Sequence, residues 1–276
     1  MKVFTESAEL TRTLSRTDGR TGFVPTMGAL HDGHISLVDR CRRECDSVVV
    51  SLFVNPTQFN DPRDLQSYPR TPEADLVLLE KTGADFVLAP SVEDIYPEKD
   101  TRRFDFGRLD KVMEGAHRPG HFNGVAQVVS RLFDIVRPDR AYFGEKDFQQ
   151  IAVVRAMARQ LGYAVEIVPC PIVRGSDGLA LSSRNALLPT EYRAAAPEIY
   201  AALAEGAALA RKVSVAEMKK QVMDRIDSNP LLRVEYLSVV DADTLEETSE
   251  WGGSPMRACI AVQAGPVRLI DNVAVG

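Results

Sequence analysis

The sequence predicts an α/β fold: a parallel sheet with helices on both faces, followed by a smaller α+β region. Three observations predict it. Short apolar, β-branched runs alternate with helical-period segments from Thr21 to about residue 172. The joints between them are short and punctuated by Gly and Pro. Beyond residue 172 the texture changes to alanine-rich helix and then to strands.

The elements follow in order. Thr21–Thr26 (TGFVPT) is a short apolar run containing Pro25, read as a buried strand. HISLVDRCRREC repeats Ile35, Val38, Cys41 and Cys45 at helical spacing. Asp46–Asn55 is β-branched without clean alternation, the mark of a strand buried on both faces. Strand, helix and strand with short joints make a βαβ unit. TPEADLVLLEKTG opens on Thr71-Pro72, a cap and first-turn pair, and stops at Gly83. ADFVLAP is the next strand. NGVAQVVSRLFDIVRP is an amphipathic helix closed by Pro138, RAYFG a strand, KDFQQIAVVRAMARQLG a helix ending at Gly162, and YAVEIVPCPIV a further extended run. The expected domains are 1–172 and 173–276. In the second, one helix covers about Glu191–Lys212 and another about Ser214–Ser228. VEYLSVVDA, MRACIAVQAG and VRLIDNV then read as antiparallel strands, with a turn at Gly265-Pro266.

Composition excludes several classes. With 45% hydrophobic and 26% charged residues, the chain can build a sizeable core. A net charge of −6 argues against a nucleic-acid binder, which usually carries a basic face. Cys41, Cys45, Cys170 and Cys259 form no CxxC pair and no disulfide framework. MKVFTESAEL carries Glu6 and Glu9 and lacks an apolar signal core. The apolar run near Val48–Val54 is too short to span a bilayer. A cytoplasmic protein without membrane attachment is expected.

Five segments carry chemistry. The first is Pro25-Thr-Met-Gly-Ala-Leu-His31-Asp-Gly-His34, after a strand and opening a helix. Unpaired N–H groups and the positive dipole end welcome an anion there. Gly28 and Gly33 let the backbone approach a phosphate, and His31 and His34 sit one turn apart. Two imidazoles beside a triphosphate can donate hydrogen bonds to the charge that builds as pyrophosphate leaves. A lone loop histidine is more often a filler than a ligand. Here all 4 histidines fall in two short glycine-containing segments, His31/His34 and His117/His121.

The second segment, Phe53-Val-Asn55-Pro-Thr-Gln58-Phe59, follows the second strand. Asn55 and Gln58 each donate and accept, which suits a small hydroxy-acid; by itself it is an ordinary Asn-Pro turn. The third, Glu114 to Gly124, sets Arg118 and His121 before a helix, with His117 equally well read as surface. The fourth, Gly144-Glu145-Lys146-Asp147, offers a lysine as a mobile point charge for phosphate, with Gln149 and Gln150 on the following turn. The fifth, Leu181-Ser182-Ser183-Arg184-Asn185, offers hydroxyls and a guanidinium. A zinc site from His31, His34, Cys41 and Cys45 is rejected. On a helix His34 and Cys41 stand roughly 10 Å apart, too far for shared ligation of one ion.

Together PTMGALHDGH, VNPTQF, SVEDIYP, RPGHFNGV, FGEKDFQQ, DGLALSSRN and the closing RLIDN closely resemble the pantothenate synthetase (pantoate–β-alanine ligase) family, from about Val24 to Asn272 and in order. The HxGH-type helix start alone is shared with many nucleotidyltransferases and class I aminoacyl-tRNA synthetases; the ordered set is specific. The resemblance implies a Rossmann-like N-terminal domain, a smaller C-terminal lid and a homodimer. It implies that (R)-pantoate attacks ATP to give pantoyl adenylate and pyrophosphate, and that β-alanine then displaces AMP to give pantothenate. Mg2+ accompanies the ATP.

By matching position, Met27, Gly28, Ala29, Leu30, His31, Asp32, Gly33 and His34 would line ATP, with His34 the family's proton donor. Gly144, Glu145, Lys146 and Asp147 would hold ATP, with Lys146 on the phosphates. Gln58 would bind pantoate and lie near β-alanine, and Gln150 would bind pantoate. Val173, Leu181, Ser182, Ser183 and Arg184 would complete the nucleotide site; other members can carry Met at Val173. His34, His31, Lys146 and Arg184 are the expected catalytic set, and no residue is expected to ligate a resident metal. A plain nucleotidyltransferase would share PTMGALHDGH without an amine-binding step. A tRNA synthetase would need an anticodon module and a basic surface. A non-catalytic nucleotide module would predict loss of His31, His34, Lys146 or Arg184, and all four are present.

Overall fold

The computed structural model describes residues Met1 to Gly276. The chain divides into two compact units, Met1–Glu145 with Gln150–Pro171, and Lys146–Gln149 with Ile172–Gly276. The division follows Pro171, one residue before the expected 172/173 boundary. The short segment Lys146–Gln149 groups with the second unit, which no local pattern announced.

The first unit contains β1 (Lys2–Phe4), α1 (Ser7–Leu14), β2 (Thr21–Thr26), α2 (Asp32–Glu44), β3 (Ser47–Leu52), α3 (Pro62–Ser67), α4 (Pro72–Glu80), β4 (Phe86–Leu88), α5 (Val92–Ile95), α6 (Glu114–His117), α7 (His121–Val136), β5 (Arg140–Gly144), most of α8 (Phe148–Leu161) and β6 (Glu166–Cys170). The sheet order is β1-β4-β3-β2-β5-β6, every pair parallel. β1 went unforeseen because three residues at a sheet edge, with Val3 exposed, carry no periodic signal.

Alternation along the central strands sorts the core onto two faces. Phe23, Val49, Ala141 and Phe143 pack with Val125, Val129 and Phe133 of α7 and Val154 and Met157 of α8. Val24, Val48, Val50 and Tyr142 pack with Leu37, Val38 and Cys41 of α2 and Leu79 of α4. Helices therefore cover both faces, which explains why β3 reads as continuously apolar.

Asp100 ties the loop after α5 to α7. Its carboxylate, 2% exposed, accepts from Arg102 at 2.7 Å and Arg131 at 2.8 Å. The Arg102 hydrogen bonds hold this carboxyl well below its usual range, against the opposing effect of burial and with help from Arg131. A carboxyl depressed in the folded state contributes stability that is present above its unfolded pKa of about 4 and is lost as pH falls toward the lower folded value. Asp100→Asn is expected to destabilise the first unit by about 1–3 kcal/mol at pH 7. The gap in urea midpoint between wild type and variant should narrow as pH drops below about 4. A gap that does not change with pH would remove the carboxylate as its source.

The second unit contains α9 (Thr190–Ala195), α10 (Glu198–Leu209), α11 (Val215–Asp227), β7 (Leu232–Asp241), β8 (Met256–Ala264) and β9 (Val267–Val275). β7, β8 and β9 form an antiparallel sheet with β8 central and β7 and β9 at its edges. Ile199, Leu203, Met218, Val222 and Ile226 of α10 and α11 pack on its inner residues Val239, Ile260 and Val262. The helix expected over Glu191–Lys212 is two helices, because Pro197 lacks an N–H and cannot continue the first. No helix is long and apolar enough to cross a membrane.

Candidate functional site

The strand order reverses direction in the first unit. The chain leaves β2 toward β3 on one side and β5 toward β6 on the other. In an open parallel sheet, ligands bind beyond the strand C-termini at such a reversal. β2 ends at Thr26 and β5 at Gly144, so the Met27–His34 turn and Gly144-Glu145 stand at that reversal.

The β2–α2 turn is held from behind. Thr26 Oγ1 donates to Ser51 O at 2.7 Å and accepts from Gly28 N–H at 3.2 Å. Gly28 (φ +79°) and Ala29 (φ +49°) turn through the left-handed region, where a side chain is disfavoured. Asp75 of α4, 3% exposed, accepts from Ala29 N–H at 2.9 Å and Leu30 N–H at 2.8 Å. Thr71, expected to cap α4, instead donates its hydroxyl to Asp75 at 3.1 Å. Sequence reasoning missed Asp75. Its signal was present: an acid one turn before the buried Leu79, on the buried face of its helix.

His31 and His34 cap α2 reciprocally. His31 Nδ1 accepts from Gly33 N–H at 3.1 Å, and His34 Nδ1 accepts from His31 N–H at 3.4 Å. The rings lie 4.1 Å apart between centroids, tilted by 36°. With both Nδ1 atoms accepting, the network assigns each ring N–H to Nε2. The N–H groups of Gly28, Ala29, Leu30, Gly33 and His34 are already engaged by protein acceptors. The side chains at the turn are the two imidazoles, set at the positive end of the helix dipole.

A buried amide corner adjoins this turn. Asn55, 1% exposed, accepts from Tyr96 OH at 2.9 Å and donates to Gln58 Oε1 at 3.1 Å and Gly124 O at 3.2 Å. Asn55 thereby fixes the Gln58 carboxamide with its NH2 forward, 3.1 Å from Met27 Sδ. His121 is buried, with Nδ1 2.8 Å from Gln58 O and Nε2 3.3 Å from Arg118 Nη1. Arg118 also faces Glu114 at 3.8 Å. The structure thus brings Met27, Asn55, Gln58, Arg118 and His121 together. His117 stands exposed, and Gln150 lies in the first turn of α8.

In the second unit, Lys146 Nζ lies 3.8 Å from Asp147. Val173 O accepts from Leu181 N–H at 3.0 Å, so these two expected contacts face each other across a hairpin. Ser182 Oγ accepts from Arg184 N–H at 3.3 Å and caps the short turn Ser183–Leu187. Lys146, Ser182, Asn185 and Asp271 line one small cavity. Lysine, hydroxyls and arginine are a donor set for phosphate oxygens.

A parallel sheet reversing at its centre, with paired imidazoles at the reversal, is the architecture of an α/β enzyme whose ligand site is expected at the strand ends. Comparison with known proteins makes the class specific. The family model described as pantoate–β-alanine ligase matches residues 2–274. Pantothenate synthetase of Phocaeicola vulgatus is 58% identical over 94% of this chain and 93% of its own. That of Porphyromonas gingivalis W83 is 53% identical over 99% of both. The crystal structure of pantothenate synthetase from Thermus thermophilus superposes with TM-score 0.94 at 48% identity, covering 99% of both chains. A pantoate–β-alanine ligase from Francisella tularensis, in complex with β-γ ATP and β-alanine, gives 0.84 at 33% identity over 99% of this chain and 97% of that one. The chain belongs to the pantoate–β-alanine ligase family. It is a ligase that joins pantoate to β-alanine to form pantothenate.

Proposed function

We infer that this ligase activates pantoate as an adenylate at the β2–α2 turn. The observation that carries the reading is the His31/His34 pair, whose Nδ1 atoms cap the helix and hold both rings together at the turn. A carboxylate is a poor acyl donor. In the first step its oxygen attacks the α-phosphorus of ATP and pyrophosphate leaves. In the second, the amine of β-alanine attacks the acyl carbon, AMP leaves and the amine proton goes to solvent or a nearby base. His34 and His31 would stabilise charge on the phosphates, and Met27–His34 would line the nucleotide. Gln58, its NH2 set forward by Asn55, would hold pantoate with Gln150 and sit near β-alanine.

Gly144–Asp147, Val173 and Leu181–Arg184 would complete the nucleotide site, with Lys146 and Arg184 on the phosphates. The second unit would act as a lid over the reactive anhydride, which must be shielded from water. The cations and hydroxyls gathered here suit phosphate oxygens. Mg2+ would enter with ATP, keeping several waters as it usually does on substrate phosphates. The reading includes a cytoplasmic homodimer. Four buried cysteines, none of them in a disulfide, fit a reducing compartment.

The test is pyrophosphate release from ATP and (R)-pantoate, first without β-alanine and then with it. One equivalent released without β-alanine, followed by turnover and AMP on its addition, is the expected result. No release with pantoate would sink the adenylate reading and redirect the search to phosphorylated acceptors of a plain nucleotidyl transfer.

A further inference from the structure

We propose that Asn272 is a positioning residue for Lys146, and that through it the lysine is built into the same unit as Ser182–Arg184. The proposal rests on the reading of Lys146 as a phosphate contact. Lys146 follows β5 of the first unit in sequence, yet Lys146–Gln149 groups with Ile172–Gly276. A specific latch joins this segment to the C-terminal sheet. Asn272 of the edge strand β9, 2% exposed, donates from Nδ2 to the main-chain carbonyl of Lys146 at 3.1 Å. Its Oδ1 accepts from Arg257 Nη1 at 2.6 Å. A guanidinium only donates, so the atom facing Arg257 must be the oxygen. The NH2 is thereby turned toward Lys146. Arg257 adds a second tie, its guanidinium lying 4.6 Å from the centroid of the Phe148 ring.

The neighbouring residue ties the other phosphate segment. Asp271, 5% exposed, accepts both ends of the Arg174 guanidinium at 2.6 and 2.9 Å, and also accepts from Asn272 N–H at 2.7 Å. Arg174 belongs to the Val173–Leu181 hairpin, where it donates to Gly178 O at 3.2 Å and covers the Tyr200 ring at 3.7 Å. The hairpin runs directly into Ser182–Arg184. Two adjacent residues of β9 therefore register both segments: Asn272 holds Lys146, and Asp271 holds the strand that delivers Ser182. A bidentate, buried pair and an oriented amide leave little angular freedom. The lysine and the Ser-Ser-Arg loop would then meet the triphosphate as one preformed surface.

Asn272→Asp in the full-length protein isolates the latch. The carboxylate keeps an acceptor for Arg257 but sets an oxygen against the Lys146 carbonyl. The expected result is a rise in KM for ATP with slower pyrophosphate release, a combined loss on the order of 10–10²-fold for a misplaced contact. β-Alanine saturation should stay near wild type while the KM for ATP rises; a general loss of folding would lower apparent kcat and leave both KM values unchanged. Combined with Lys146→Ala, the variant should be little slower than Lys146→Ala alone, because both remove one contact. Arg257→Met, which frees the amide to rotate, should shift ATP dependence in the same direction and serves if Asn272→Asp folds poorly. Unchanged ATP dependence in both variants, or losses that multiply with Lys146→Ala, would overturn the latch. If Lys146→Ala itself releases pyrophosphate normally, the reading of the lysine fails and the latch falls with it.

Discussion

His34→Ala is expected to slow pyrophosphate release by a factor on the order of 10²–10³, the scale for losing one preorganised donor, or about 2.7–4 kcal/mol. The reason is geometric. His34 Nδ1 accepts from the His31 N–H, which holds the ring in one orientation with its own N–H on Nε2. A donor held this way needs no reorganisation when negative charge builds on the leaving pyrophosphate. Alanine also removes a cap acceptor, worth about 0.5–2 kcal/mol of helix stability. That loss must be separated from the chemistry. His34→Asn retains an acceptor near the Nδ1 position and lacks the Nε2 donor. It should fold like wild type and remain slow in single turnover. Near-wild-type release by His34→Ala would take the residue out of the mechanism.

Gly124→Ala is the second large effect, and it runs against helix propensity. Gly124 lies inside α7, where Ala would ordinarily stabilise by about 1 kcal/mol. Here a Cβ would fall 2.3 Å from Thr57 O, 2.6 Å from Thr57 C and 2.7 Å from Gln58 Cα. All three are backbone atoms, so no side chain can swing aside. Either α7 or the Asn55–Gln58 corner must retreat, at about 1–3 kcal/mol for an overpacked site. The retreat would break the bond from Asn55 Nδ2 to Gly124 O, which anchors the amide that orients Gln58. A displacement near 1 Å at a substrate-positioning group costs on the order of 10²-fold. We expect kcat/KM for pantoate to fall by about that factor, with a lower melting temperature and a much smaller change in ATP dependence. A variant that melts higher than wild type and binds pantoate normally would show that the corner is not rigid.

Both predictions depend on residues that the sequence flagged for other reasons. His34 was legible as half of an imidazole pair opening a helix. Gly124 was legible only as part of a glycine-containing loop, since nothing local says that Thr57 lies against it. Asn55 and Gln58 looked like two independent donors and acceptors for a small acid. In the structure Asn55 spends its amide on Gln58, Gly124 and Tyr96, so only Gln58 presents a donor. The expectation of unpaired backbone N–H groups at the helix start was similarly revised, because Asp75 and His31 already accept most of them.

The sequence alone determined the parallel sheet apart from its edge strand β1, the longer helices packed on it, the antiparallel C-terminal strands and the ordered set of family motifs. These are local or strictly periodic features: apolar alternation, a helical repeat, a proline or glycine stop. Tertiary structure alone decided which acceptor meets which donor. Asp75 reaches Ala29 across 46 residues, and Asn272 reaches Lys146 across 126. No periodicity encodes a contact at that separation. The registration of Lys146 with the C-terminal unit is therefore a property of the folded packing, in which a buried amide must find its partner or lose the hydrogen bonds that water would have given it.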